Sequence, residues 1–207
     1  MPQVRKTLAK KGLHLDDVSV ASAAHHKQLH LHLREILRNI MGVCALFNHS
    51  LGNFMLESHT FLEIVVSTFN HLLRFCPFDN SKPEPTVDAI YHIGLTLFMM
   101  TMFLHRGRRR VVDHELVSVR LRYLLDSELD DYDDELIFWL VTICGIWVTD
   151  AADGDWPVPM MHDTAQRLGV DTWSKAQAVV RRFPWLNSVH DEPGLNLWNK
   201  VSLYQRF

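Results

Sequence analysis

The sequence predicts an all-α protein, a single-domain array of packed helices joined by short loops. Apolar residues recur at three- and four-residue spacing along nearly the whole chain, the signature of helix faces. No stretch sustains an alternation of β-branched residues, and no period marks a repeat array. Proline, glycine and capping residues fall between the periodic segments, where helices begin and end. At 207 residues, with 47% apolar and 22% charged residues, the chain is long enough to bury one sizeable core.

Residues 1–28 are expected to be a flexible lead-in, basic and then acidic, ahead of a helical domain over 29–207. The lead-in has no continuous apolar stretch of the kind a secretory signal needs. The first helix is expected from Leu29 to Phe47, where Leu29, Leu33, Ile36, Leu37, Ile40, Val43 and Cys44 share a face. Asn53 can cap a second helix, which stops at Cys76-Pro77 because proline cannot donate the next backbone bond. After the loop Asp79–Pro85, Thr86 caps a strongly apolar helix that runs to about Leu104. Its length approaches that of a membrane span, yet it includes Asp88, His92 and Gly94, so a buried core helix is the reading.

A fourth helix is expected from Asp113 to about Leu125, and the acidic run Asp126–Glu135 leads into a fifth. Asp133, Asp134 and Glu135 stand at its start, where acids favour the exposed amides and the helix dipole. Leu136–Val148 is too short to cross a bilayer and also reads as core. A turn at Asp150–Asp155 precedes a helix from about Pro157 to Leu168, stopped by Gly169. The next opens at Asp171 or Thr172 and is interrupted by Pro184. Trp185, Leu186 and Trp198 are expected to pack the last helices, with Pro193-Gly194 setting a turn between them.

A net charge of −3 and a pI near 6.5 exert no global pull toward nucleic acid. Cys44, Cys76 and Cys144 are odd in number and lie in or beside apolar runs, which favours buried thiols in a reducing compartment. Their wide spacing makes neither a zinc cluster nor a redox pair, and no glycine loop or nucleophile elbow appears. No cofactor and no metal are therefore expected. His26 and His30 have the i,i+4 spacing at which two imidazoles bind zinc, but Lys27-Gln28-Leu29 supplies no general-base glutamate. A solvated face is the favoured reading of His25, His26, His30 and His32.

Arg106, Arg108, Arg109 and Arg110 form a candidate basic patch at a helix junction. It reads first as a solvated loop that pairs with Asp126–Glu135, and second as a nuclear-import signal or a phosphate contact. The acidic run, with Leu129 and Tyr132 interleaved, is short for an activation segment. Met99, Met102, Trp139 and Trp147 are candidate lining for an apolar pocket, although such stripes usually form plain core. Should the protein be an enzyme, His92 and His162 are the first acid–base candidates.

The stretch Trp173–Trp198, WSKAQAVVRRFPWLNSVHDEPGLNLW, follows Arg167-Leu168-Gly169 and the Trp-containing helix Leu136–Val148 with Trp156 after it. In that order these residues resemble the C-terminal part of the regulatory, or middle homology, domain of fungal-specific transcription factors. The resemblance covers about residues 136–200 and rests on packing residues, Trp185-Leu186, Asp191-Glu192-Pro193, Gly194 and Leu197-Trp198 among them. It implies an all-helical regulatory domain. Members of that family also carry a cysteine-rich binuclear zinc cluster for DNA, and no cysteine precedes Cys44 here.

The resemblance thus implies a non-enzymatic, transcription-factor-like regulator in the nucleus or cytoplasm. Such a protein acts through a protein partner, such as a full-length transcription factor, or a small effector, and is a candidate controller of a biosynthetic gene cluster. Direct nucleic-acid binding and membrane association are not expected. The alternative is a cofactor-independent enzyme, or a binding protein, for a hydrophobic metabolite.

Overall fold

The computed structural model describes residues 29–49, 58–76, 86–102, 115–125, 132–148 and 156–204. These hold eight helices and no strand: α1 (Leu31–His49), α2 (Ser58–Phe75), α3 (Val87–Thr101), α4 (Glu115–Leu125), α5 (Asp134–Val148), α6 (Pro157–Arg167), α7 (Trp173–Val180) and α8 (Asn187–Tyr204). The all-α expectation holds. The lead-in before residue 29, the Asn53 cap and Arg106, Arg108, Arg109 and Arg110 lie outside the described residues.

Helix α5 is the hub, packed against α3, α6, α7 and α8, while α3 packs on α1, α2 and α4. Their sequences explain this. Every residue from Ile90 to Thr101 is buried, and so is every residue from Leu136 to Trp147. A helix apolar on all sides can only be enclosed by others. Each large side chain so buried contributes roughly 1.5–3 kcal/mol. No helix among the described residues is long and apolar enough to cross a membrane.

The threonine hydroxyls inside these two helices are bonded locally. Thr96 donates to the His92 carbonyl at 2.8 Å and Thr142 to the Phe138 carbonyl at 2.7 Å. Trp139, fully buried, donates its indole N–H to the Pro184 carbonyl at 3.1 Å and stacks on Phe183 with ring centroids 5.3 Å apart. Gly94 of α3 lets that ring lie against the helix backbone, for a Cβ there would meet Trp139 Cζ3 at 2.5 Å.

Helix ends follow the local signals. Thr86 caps α3 by accepting the Ala89 N–H at 3.2 Å, and Thr172, rather than Asp171, caps α7. Asp133 accepts the Glu135 N–H at 2.9 Å ahead of α5. Asp134 pairs with Arg167 at 2.7 Å and Glu135 with Arg182, so these acids hold α5 to the α6 and α7 ends. Helix α6 stops in a Schellman turn: Val170 N–H bonds the Ala165 carbonyl at 2.8 Å and Gly169 N–H the Gln166 carbonyl at 3.1 Å. Gly169 has φ +64° and open space around the missing Cβ. Gly169→Ala therefore costs about 1 kcal/mol through backbone strain alone, read as a lowered urea midpoint, and Gly169→Asn costs less.

One expectation fails. Pro193-Gly194 is no turn, because α8 runs unbroken from Asn187 to Tyr204 with Pro193 inside it. Gly194 serves close packing instead: a Cβ there would meet Trp173 Cη2 at 2.6 Å and Trp185 Cη2 at 3.2 Å. Proline removes its own N–H bond and crowds the carbonyl one turn before it, and burial of His190, Gly194, Leu197, Trp198 and Val201 on one face holds the helix through it.

Candidate functional site

The residues with the most chemistry converge where α2 ends, α3 begins and α4 crosses. Phe75, Cys76, Thr86, Asp88, Ala89, His92 and Arg120 line a cleft of about 200 Å³ there. The α3 residues Thr86, Asp88, Ala89 and His92 lie on the cleft by virtue of one another's spacing, since positions three and four apart share a helix face.

Arg120 is 6% exposed, unusual for arginine. On α4 it shares a face with buried Val117, Leu121 and Leu124, which carries its guanidinium inward. Its Nη1 donates to the Cys76 sulfur at 3.7 Å. His92, 2% exposed, uses its Nε2–H to donate to the Leu72 carbonyl at 2.9 Å, which fixes the tautomer. Burial holds this imidazole below the ordinary histidine range. The Leu72 bond works against that depression, and the charge of Arg120 adds to it. Asp88 accepts the His30 N–H at 2.9 Å, tying the start of α1 to the start of α3.

Phe75 forms the aromatic wall, its ring centroid 5.8 Å from that of His92 and 5.4 Å from that of His30. A second, smaller cleft of about 80 Å³ lies between α1 and α2, lined by His32, Glu35, Ile36, Asn39, Thr68 and His71. The His32 and His71 rings are 5.9 Å apart. Among the described residues no three His, Cys, Asp or Glu side chains group so as to hold a metal ion. His30 is exposed, and its Nδ1 accepts the His32 N–H at 3.3 Å; His25 and His26 lie outside the described residues.

The candidate residues from the sequence thus separate. His92 lines the larger cleft, whereas His162 sits on α6 between Asp163, at 3.1 Å, and the Tyr204 ring. Met99, Met102, Trp139 and Trp147 are all buried in the core and line neither cleft. Sequence reasoning missed Arg120, Asp88 and Cys76 as a group. The available signal was Arg120 itself, a cation in register with an apolar stripe.

Asn48 and His190 hold the region beyond α7. Asn48 donates to the Trp185 carbonyl at 2.8 Å and accepts the Asn187 N–H at 2.9 Å, so α1 satisfies the first turn of α8. Asn48→Ala leaves both backbone groups without that partner and costs about 1–3 kcal/mol in chemical unfolding. Asn48→Asp retains the acceptor for the Asn187 N–H but sets a carboxylate oxygen against the Trp185 carbonyl, so it does not restore the wild-type stability. Asp191 accepts from Trp185 Nε1 at 2.7 Å and from Arg181 at 3.0 Å, closing the connector on itself.

None of the three cysteines is in a disulfide; Cys44 and Cys144 are buried and Cys76 half-buried, and burial pushes the Cys44 thiol up to about 12. No protein-family model, curated protein or solved structure matches this chain.

Proposed function

We propose that this chain is a non-enzymatic regulatory protein, built like the helical domain of fungal-specific transcription factors, that acts through a protein partner or a small effector. One observation carries this reading: the residues that bear the resemblance form a single packing unit. Gly194 lies against Trp173 and Trp185, Asp191 holds the Trp185 indole, and Trp139 bonds the Pro184 carbonyl. A motif spent on packing identifies a scaffold, and a scaffold of this kind works by what it binds. Control of a biosynthetic gene cluster, from the nucleus or the cytoplasm and beside a full-length transcription factor, is the role that the resemblance suggests.

A second reading keeps one specific observation in its favour. His92, a neutral imidazole, stands on a cleft whose Phe75 and Ala89 walls are apolar, as a cofactor-independent enzyme for a small metabolite requires. Deleting the gene in its host, then comparing transcripts and metabolites in the same cultures, separates the two. Coordinated change in a set of neighbouring transcripts is the expected result. Unchanged transcripts, with one metabolite lost and its precursor accumulating, establish the enzyme instead.

A further inference from the structure

We draw no further inference here: the strongest candidate, the cleft of about 80 Å³ between α1 and α2 that the buried Asn39 lines together with His32, Glu35 and His71, groups no set of side chains able to hold a metal ion among the described residues, and nothing in the structure shows what covers it.

Discussion

Acidification from pH 7.5 to pH 4 is expected to cost the fold about 3 kcal/mol through one side chain, His190. This imidazole on α8 is fully buried, stacked on Phe98 and tilted against Trp185, with ring centroids 5.2 and 5.0 Å away. Its hydrogen bonds require the neutral form. Thr101 donates its hydroxyl to the Phe98 carbonyl at 2.6 Å, so the 2.7 Å contact with His190 Nε2 has the imidazole as donor. Nδ1 then accepts the Leu186 N–H at 3.0 Å. The Leu186 carbonyl, 3.1 Å from Nδ1, already accepts from Val189 and His190 N–H groups, which leaves that assignment undisturbed.

Burial pushes His190 down to about 4, against partial opposition from the Leu186 carbonyl beside Nδ1, which would accept from a protonated ring, and from the charge of Asp191. Above pH 6.5 neither state of the protein takes up a proton at this position. Below it the unfolded chain does and the native one does not, so stability falls until the native ring titrates near pH 4. His92, depressed in the same direction, adds to the slope. Urea unfolding at a series of pH values measures this. His190→Gln is less stable at pH 7.5 but loses markedly less on acidification, and an unchanged pH slope in that variant contradicts the assignment.

Gly94→Ala is expected to cost about 2–3 kcal/mol, near the upper end for overpacking. The added methyl meets Trp139 Cζ3 at 2.5 Å and Cη2 at 2.9 Å. That ring cannot step aside, being bonded to Pro184 and stacked on Phe183. Gly145→Ala makes an equally close contact, 2.5 Å, but with Leu197 Cδ2, the far end of a flexible side chain, and costs less. A double-mutant cycle provides the check. Trp139→Phe shortens the ring, so Gly94→Ala costs less in that background, by a coupling energy of about 1 kcal/mol or more. Strict additivity contradicts the contact as the source of the cost.

The two predictions mark what was legible in the sequence and what was not. Thr86, Thr172, Asp133, Pro157 and Gly169 act on backbone within four or five residues, and each declared a helix end in advance. Enclosure of α3 and α5 was legible from unbroken apolar composition. Asn48 and His190 were not, because their partners lie 137 and 89 residues away and only the packed fold brings them together. Pro193-Gly194 carried a genuine local turn signal, overridden by burial of a helix face against two tryptophans. In the candidate site, His92 was visible as a polar group in an apolar run, while Arg120 was marked only by its register with the apolar stripe of Val117, Leu121 and Leu124.

The most direct test of the central claim, that the chain regulates and does not catalyse, is to delete its gene and profile transcripts and metabolites together. The deletion is expected to change a coordinated set of neighbouring transcripts. Transcripts identical to wild type, with one metabolite blocked at its precursor, would contradict the regulatory account and make the cleft an active site.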